Sequence, residues 1–390
     1  MGPAPLSRYV ARHLGAALRV LLVSRVFWPN IGGIEKHVQW LAEALIRRGH
    51  QCDVLTMNRS WADGSSYPPF DRLGEIGVYR VPFVGSTRYP IAPRVARFAA
   101  RYDVVHVHAV DFLADWLVTT RRWHGRPVVL SSHGGFFHTA FLKHAKKLWF
   151  HTATRLLVHS VDALITTSEQ DSALFRKLTS RLHPVRQAVD TRAFAALPSA
   201  PVPGRWVTVG RVDVHKGIAA LIKVLARVKN EDGRDFLLTV VGPEVVDGLI
   251  PSLEAERDRL GLGAQVTFTR KVPFEALLEQ VRTAELGIFP SEYESFGISV
   301  VEVMAAGVVP VLNDIHAFRC FTHERKSGFV VPFSDVEAAA ATLRRARDLG
   351  DARAKMVAAA REVAATYDWD VVVAEIEAIY QEVIRRRRAG

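Results

Sequence analysis

Short apolar runs alternate with amphipathic helical segments along the chain, and the whole pattern occurs twice. A proline-rich stretch at 197–204 separates the two copies and is typical of a linker. Strands that alternate with helices form parallel sheets, so we expect an α/β fold with two doubly wound, Rossmann-like domains. The predicted strands are 18–24, 51–55, 103–108, 127–132 and 163–167 in the first copy, and 206–209, 236–241, 265–268, 286–289 and 308–312 in the second.

The two copies predict the domain boundaries. We expect a first domain over residues 1–195 and a second over residues 196–369. A last helix, at about 370–390, ends in the arginines 385–388 and is expected to pack back on the first domain. Ligands of such sheets bind at the carboxyl ends of the strands, so the functional residues should follow strands and line a central cleft.

The positive charge lies in the first half of the chain. The net charge is +11, and residues 1–195 carry 26 Lys and Arg against 13 Asp and Glu. Such an excess favours an anionic partner, which leaves nucleic acid, an anionic membrane and a phosphorylated ligand open. The two cysteines are too few for a disulfide scaffold or a structural zinc site and fit a reducing cytoplasm. No apolar run reaches the roughly 18 residues of a membrane span.

Glycines follow two strands of the first domain. Gly32 and Gly33 open a helix, and paired glycines let backbone N–H groups approach an anion closely, although a simple strand–helix turn explains them equally well. His133 follows another strand and precedes two glycines. It is expected to point toward a ligand, with a capping or core histidine as the alternative.

Charged side chains follow two strands of the second domain. Arg211 and Lys216 lie in a loop that opens a helix, where a bidentate guanidinium and a compact ammonium suit a diphosphate. Glu294 and Glu302 are separated by seven residues. The helix that starts between them, at Gly297, presents N–H groups to an anion or to sugar hydroxyls.

Taken in order, these motifs resemble those of the retaining glycosyltransferases of family 4, which have the GT-B fold. The resemblance covers nearly the whole chain from Leu18 onward. Segments at 85–93, 103–108 and 132–140 are similar to those of the xanthan- and acetan-type α-mannosyltransferases, which move mannose from GDP-mannose to a cellobiose on a polyprenyl diphosphate. One departure is Ala188, where many family members carry a turn glycine before the sequence Val-Asp.

The resemblance implies catalytic roles for four side chains. Arg211 and Lys216 would hold the donor diphosphate and neutralise the leaving nucleotide, so no metal is expected. Glu294 would contact the transferred sugar, and His133 would contact it near the reacting carbon. The transition state should resemble an oxocarbenium ion, and we expect front-face attack because the sequence offers no obvious carboxylate nucleophile.

The implied donor site adds glycines and a helix start to these side chains. Glu302 would bind the ribose hydroxyls, and backbone N–H groups would bind the sugar and phosphate. The donor-binding residues are Gly32, Gly33, Arg211, Lys216, Glu294, Phe296, Gly297, Ile298 and Glu302. The sequence does not fix the base pocket, so a UDP-sugar is an alternative donor, and a nucleic-acid-binding protein without catalysis is an alternative of another class.

Basic helices in the first half favour docking on an anionic membrane. Arg94, Arg97 and Arg101 are predicted to share one helix face, and a helix around 139–159 interleaves basic and aromatic residues. A solvated helix face is the alternative for each, but two such helices in the basic half indicate a peripheral protein on the inner face of the plasma membrane. Its expected acceptor and membrane residues are Arg94, Arg97, Phe136, Phe137, Lys143, Lys146, Lys147 and Trp149.

Two further pairs of polar residues follow the strand at 103–108. His106 and His108 alternate at a spacing that metals can use, although a buried strand with a polar end is the better interpretation. Asp111 and Asp115 either touch acceptor hydroxyls or lie in a solvated loop.

Overall fold

A computed structural model describes residues 16–30, 32–60, 63–86, 89–133, 155–233, 235–322 and 326–389. The strands are β1 Arg19–Ser24, β2 Gln51–Met57, β3 Phe70–Leu73, β4 Ile76–Val81, β5 Val84–Ser86, β6 Tyr89–Ile91, β7 Val104–His108, β8 Val128–Ser131, β9 Ala163–Thr166, β10 Leu182–Pro184, β11 Arg205–Val209, β12 Leu237–Val241, β13 Val266–Arg270, β14 Leu286–Phe289, β15 Val309–Asn313 and β16 Phe329–Val331.

The helices are α1 Gly33–Arg47, α2 Val95–Ala99, α3 Phe112–Thr119, α4 Arg121–His124, α5 Arg155–Ser160, α6 Glu169–Phe175, α7 Arg192–Ala195, α8 Ile218–Asp232, α9 Leu249–Arg259, α10 Phe274–Thr283, α11 Ile298–Ala305, α12 His316–Arg319, α13 Val336–Arg347, α14 Ala352–Ala365 and α15 Trp369–Ala389. In the ranges given above, no helix is long and apolar enough to cross a bilayer.

The chain forms two compact units. The first comprises Met1–Ala188 and Trp369–Gly390, and the second Val189–Asp368. The division therefore falls seven residues before the predicted boundary at 195. The backbone explains this position, because the N–H of Val189 donates to the carbonyl of Tyr367 at 2.8 Å, so this segment belongs to the second unit.

An eight-stranded sheet forms the centre of the first unit. Its strand order is β10-β9-β8-β7-β1-β2-β4-β3, with all pairs parallel except the hairpin β3–β4. Helices α1 and α15 share one hydrophobic core, and Arg48 Nε donates to the buried Glu377 Oε2 at 2.7 Å. The direction of strand succession reverses between β1 and β7, so the loops after these strands flank a switch point, where doubly wound sheets bind ligands.

Six parallel strands form the sheet of the second unit. Their order is β13-β12-β11-β14-β15-β16, which places the switch point between β11 and β14. One face is covered by α8 and α13 and the other by α11 and α14. Each unit has apolar strands buried on both faces, as expected for parallel sheets. The loops after β11 and β14 carry the charged motifs singled out in the sequence.

Candidate active site

The loops after β11 and β14 meet at the switch point of the second sheet. Gly217 has a φ of +67°, and a Cβ at this position would collide with the carbonyl of Pro290. The N–H of Glu292 donates to the carbonyl of His215 at 2.8 Å. Glycine is therefore required where the first loop passes the second, and the contact brings together two motifs that are 78 residues apart.

Lys216 and Glu294 form an ion pair in this place. The side chain of Lys216 is 25% exposed and that of Glu294 is 18% exposed, so a ligand can reach both. A Cβ on Gly210 would lie 3.5 Å from Lys216 Nζ and 3.9 Å from Ser299 Oγ. The ammonium group therefore lies close to the first turn of α11.

Two residues that the sequence analysis missed hold Glu294 in position. Ser291 Oγ donates to Glu294 Oε1 at 3.2 Å, and the side-chain amide of Asn313 donates to the carbonyl of Ser291 at 3.0 Å. Asn313 Oδ1 also accepts from the N–H of Phe333 at 3.0 Å. Their positions directly after β14 and at the end of β15 are the signal that could have identified them.

The N-terminus of α11 is open to a ligand. Gly297 precedes it with a φ of +108°, and no side chain caps the helix. The phenyl ring of Phe296 packs against Phe321 and Tyr367 at 5.3 and 5.2 Å between centroids. Ile298 is exposed. The first N–H groups of the helix are thus available to an anion.

Arg211 and Glu302 are two further predicted site residues of the second unit. Arg211 is exposed and makes no ion pair with a described residue. Burial, with a smaller contribution from the carboxylate of Asp190, raises the pKa of Glu302 to about 7. A carboxyl group with this pKa changes charge near neutral pH, so its hydrogen bonding to a ligand depends on pH.

The segment before Asp190 tolerates the departure from the family pattern. Ala188 is buried in the core of the first unit, and its φ is not positive. The usual glycine is therefore not needed for the backbone to turn here. Asp190 itself pairs with Arg192, 2.9 Å between Oδ1 and Nε. Sequence reasoning gave Asp190 no site role, and its influence on Glu302 comes from spatial proximity alone.

The glycine pair of the first unit lies at the start of α1, after β1. Gly32 is extended, with a φ of −162°, and a Cβ there would meet only the flexible carboxylate end of Glu35. A Cβ on Gly33 would find no atom within 4 Å. The open space at Gly33 permits the close approach of a ligand, whereas Glu35 already places a negative charge at this helix start.

Histidines converge at the switch point of the first sheet. His108 Nδ1 lies 2.9 Å from His133 Nε2, and the ring of His37 lies 4.7 Å from that of His133. His106 is part of a separate hydrogen-bonded chain, with Tyr380 Oη at 2.7 Å and Ser131 Oγ at 2.8 Å. His133 has a φ of +48°, an uncommon conformation for a residue with a side chain.

These histidines are neutral at pH 7. Burial lowers the pKa of His133 to about 4, and burial together with neighbouring imidazoles lowers that of His106 to about 3. The same causes hold the pKa values of His37 and His108 well below the usual range. His133 Nε2 and His108 Nδ1 therefore share one proton in a hydrogen bond between neutral rings.

The three histidines His37, His108 and His133 also have the arrangement of a metal site. Ring nitrogens of His37, His108 and His133 lie within 4.8 Å of one another, and neutral imidazoles are good ligands for zinc. His108 Nδ1 and His133 Nε2 lie 2.9 Å apart, which is a hydrogen-bond distance, so a proton lies between them. Both nitrogens would have to be unprotonated to bind a metal ion.

Several predicted residues have structural roles or lie outside the described ranges. Asp111 caps α3 by accepting from the N–H of Leu113 at 2.9 Å and is buried, so the solvated-loop interpretation is wrong for it. Arg94 and Arg97 are exposed, although α2 is only five residues long and contains Arg97 alone of the predicted stripe. The predicted acceptor and membrane residues that lie outside the described residues are Phe136, Phe137, Lys143, Lys146, Lys147 and Trp149.

Two family models together match most of the chain. A model described as glycosyl transferases group 1 matches residues 192–363. A model described as a glycosyl transferase 4-like domain matches residues 32–189. The two matches meet at the boundary between the units, and the sites described above lie within them.

Relatives and solved structures agree with these models. A protein named GDP-mannose:cellobiosyl-diphosphopolyprenol alpha-mannosyltransferase from Xanthomonas campestris is 34% identical, over 91% of this chain and 94% of that protein. The protein of the same name from Komagataeibacter xylinus is 31% identical, over 95% and 94%. Sucrose-phosphate synthase from Thermosynechococcus elongatus has the same fold, with a TM-score of 0.67 at 19% identity over 94% of this chain and 100% of that one. The chain therefore belongs to the glycosyltransferases of family 4, which have the GT-B fold.

Proposed function

We propose that this protein is a retaining hexosyltransferase that moves mannose from GDP-mannose to a polyprenyl-diphosphate-linked, cellobiose-type oligosaccharide in exopolysaccharide or glycolipid assembly. The observation that carries the donor half of the proposal is the Lys216–Glu294 pair beside the uncapped start of α11. A cation, a carboxylate and free backbone N–H groups at one point suit a sugar diphosphate. The names of the two mannosyltransferase relatives support GDP-mannose and the acceptor.

In the mechanism that we propose, side chains of the second unit stabilise the leaving nucleotide. Lys216 and Arg211 bind the diphosphate, and the N–H groups of Gly297 and Ile298 bind phosphate and sugar oxygens. Lys216 then exchanges part of its contact with Glu294 for the phosphate, which leaves the Glu294 carboxylate to accept from a sugar hydroxyl. Negative charge develops on the diphosphate as the glycosidic bond breaks, and fixed cations stabilise it without reorganisation.

The acceptor hydroxyl attacks from the face that the diphosphate leaves. The departing phosphate oxygen takes the hydroxyl proton, so configuration is retained without a covalent sugar–enzyme intermediate. His133 would contact the sugar near the reacting carbon through the ring nitrogen that His108 does not use. Trapping a mannosyl adduct on an enzyme carboxylate would refute this course of reaction.

The donor assignment is tested by a screen of nucleotide sugars. GDP-mannose, UDP-glucose and UDP-N-acetylglucosamine are offered with a polyprenyl-diphosphate cellobiose acceptor, and the product is identified by mass spectrometry. We expect mannose transfer from GDP-mannose. Consumption of a UDP-sugar in its place would show that the alternative donor is correct.

The site assignment is tested with variants in the second unit. Lys216→Ala and Glu294→Ala should each lower kcat by about 100-fold or more, since losing one preorganised charge contact costs this much at comparable sites. Lys355→Ala is a matched control, because this exposed lysine has no ion-pair partner among the described residues. Turnover at the wild-type rate in either site variant would remove these residues from the mechanism.

We further propose that no metal takes part in transfer, because Arg211 and Lys216 supply the two positive charges that a diphosphate needs. Exhaustive treatment with EDTA should leave the rate unchanged. A rate that falls on chelation and returns with Mg²⁺ or Zn²⁺ would contradict this and would direct attention to the histidine cluster.

A peripheral location on the inner face of the plasma membrane, where the acceptor lies, follows from the same proposal. Arg94 and Arg97 are exposed and have no carboxylate partner among the described residues, and each basic residue near an anionic surface contributes about 1 kcal/mol. The double variant Arg94→Gln/Arg97→Gln should bind phosphatidylglycerol vesicles about tenfold or more weakly. Lys271→Gln/Lys355→Gln, with the same loss of charge in the second unit, should bind normally. Equal vesicle binding by the two double variants, or a preference of the wild type for RNA over vesicles, would contradict the proposal.

A further inference from the structure

A cavity of about 310 Å³ lies on the first unit beside the start of α1. None of the residues that line it was assigned to the donor site, although Gly32 and Gly33 lie at the same helix start. It is bordered by the loop after β1, by the first two turns of α1 and by the end of β3. We call it the Trp28 cavity; the side chains that matter for its chemistry are Trp28, Asn30, Glu35, Lys36 and Gln39.

The indole of Trp28 is held firmly in the wall of the cavity. The guanidinium carbon of Arg80 lies over the indole at 5.7 Å from its centroid, and Arg80 Nη2 donates to the carbonyl of Trp28 at 3.1 Å. Arg80 is itself buried, with the ring of Tyr67 at 5.2 Å from its guanidinium carbon. Trp28 is only partly buried, so it presents a fixed aromatic surface to whatever enters.

Polar side chains of three different kinds surround this aromatic surface. Glu35 is partly buried and brings a carboxylate, and Lys36 is exposed without an ion-pair partner among the described residues. Gln39 Nε2 donates to Glu43 Oε1 at 2.9 Å, which fixes the amide and leaves its oxygen as an acceptor. Donors and acceptors thus lie next to a rigid indole.

This combination selects a neutral, polyhydroxylated ligand. A sugar ring places its C–H face on an indole and its hydroxyls on carboxylate, amide and ammonium groups. A diphosphate is disfavoured by the carboxylate of Glu35, and a lipid chain by the density of polar groups. The volume is at the lower end for ligand cavities, which suits one or two sugar rings.

We propose that the Trp28 cavity binds pyranose rings of the acceptor glycan. This inference rests on the proposed function, which supplies the glycan acceptor. It assigns acceptor recognition to Trp28, Glu35 and Gln39, in the described part of the first unit, rather than to the basic and aromatic segment predicted from the sequence.

The first experiment measures sugar binding without any donor. Cellobiose is titrated into the full chain, and saturation-transfer NMR reports which sugar protons contact the protein. We expect saturable binding that Trp28→Ala abolishes and that Trp123→Ala retains, since Trp123 is 80% exposed elsewhere on the same unit. Absence of saturable binding in the wild type, or equal binding by Trp28→Ala, would overturn the proposal.

The second experiment measures transfer to the lipid-linked acceptor. Trp28→Ala and Gln39→Ala should each raise the acceptor KM about tenfold or more and leave the donor KM unchanged. Gln39→Ala is included because it leaves the contact between Trp28 and Arg80 intact, so a folding defect cannot explain its effect. Wild-type acceptor KM values in both variants would overturn the cavity assignment.

The two proposals fail in different ways. If the wild type binds cellobiose through Trp28 but transfers no mannose from GDP-mannose, the proposed donor is wrong and the cavity assignment stands. If mannose is transferred and the variants leave acceptor kinetics unchanged, the donor assignment stands and the cavity assignment is wrong.

Discussion

If Glu302 binds the ribose hydroxyls, as the family resemblance implies, donor binding should depend on pH, because the pKa of Glu302 is about 7. Below this value the group is largely protonated, and above it a carboxylate accepts hydrogen bonds from ribose hydroxyls more strongly. The donor KM should therefore fall as the pH rises from about 6 to 8. By linkage, bound nucleotide should lower the pKa of Glu302. Steady-state kinetics at varied GDP-mannose concentration across this range would measure the effect.

Glu302→Gln should remove that pH dependence and raise the donor KM about tenfold, the equivalent of about 1.4 kcal/mol for a hydrogen bond to a charged group. Glu275→Gln, an exposed carboxylate elsewhere in the second unit, should behave as the wild type. A pH profile that keeps its shape in Glu302→Gln would assign the titration to another group.

His108 is expected to set the tautomer of His133. His108 Nε2 is buried and has no hydrogen-bond partner among the described residues, and a buried N–H without an acceptor costs more than a bare nitrogen. The proton of His108 therefore lies on Nδ1 and is donated to His133 Nε2, which leaves His133 with an Nδ1–H donor for its ligand.

Substitution at position 108 separates this positioning effect from simple packing. His108→Asn can place an amide donor near the former Nδ1 and should retain most of kcat, whereas His108→Leu should lower kcat at least tenfold with little change in KM. The ¹⁵N chemical shifts of His133 would report its tautomer directly. Equal kcat values for the two variants would show that His108 is only structural.

At the scale of single residues, position after a strand predicted where the charged side chains lie, since the loops after β11 and β14 meet. Arg211, Lys216 and Glu294 could be found because each follows a strand that parallel topology brings to one edge. The influence of Asp190 on Glu302 could not, because it depends on how a buried loop folds in space. Local sequence carries no information on such a through-space contact.

At the scale of elements, the start of α11 depends on Gly297. Its φ of +108° is strained for any residue with a side chain, and a Cβ would lie 2.8 Å from Phe318 Cε1. Gly297→Ala should therefore destabilise the second unit by about 1–3 kcal/mol and raise the donor KM, since the helix start must shift. Chemical denaturation and donor kinetics measure the two effects.

Gly350→Ala is the control for this substitution. Gly350 has a φ of +50°, but a Cβ there would meet no atom within 4 Å. It should cost stability through the backbone alone and leave the donor KM unchanged. An equal change in donor KM in both variants would show that global destabilisation, and not the helix start, controls donor binding.

Some of the long periodic elements were predicted, whereas the long helices α13 and α14 and several short elements were not. The pattern of α1 and the apolar runs of β1, β7 and β11 gave these elements to within a few residues. The hairpins β3–β4 and β5–β6 were missed because their strands lack a continuous apolar run. Strands β3 and β5 are short and largely exposed, and the buried strand β4 is interrupted by Gly77 and Arg80. Helix α9 was missed for the corresponding reason, since only Ile250 and Leu253 of its residues are buried.

At the scale of the whole molecule, the chain order of the units differs from their spatial membership. Helix α15 comes last in the sequence, yet Trp369, Ile376 and Tyr380 belong to the core that contains α1. The sequence analysis expected this helix to pack back on the first domain. It could not place the boundary at Ala188, because backbone pairing between Val189 and the segment before α15 depends on residues about 180 positions apart.

Separate cores predict that the two units respond separately to mutation and to ligand. Ile376 is buried in the first core, and Ile376→Ala should destabilise that unit by about 2–5 kcal/mol. GDP, which we expect to bind at the switch point of the second sheet, should stabilise the other unit by about 2.7 kcal/mol at 100 times its Kd. Calorimetry should then resolve two transitions, the first lowered by Ile376→Ala and the second raised by GDP. A single transition that both perturbations move together would show that the cores unfold as one. If GDP raised only the transition that Ile376→Ala lowers, the nucleotide would bind to the first unit, contrary to the proposal.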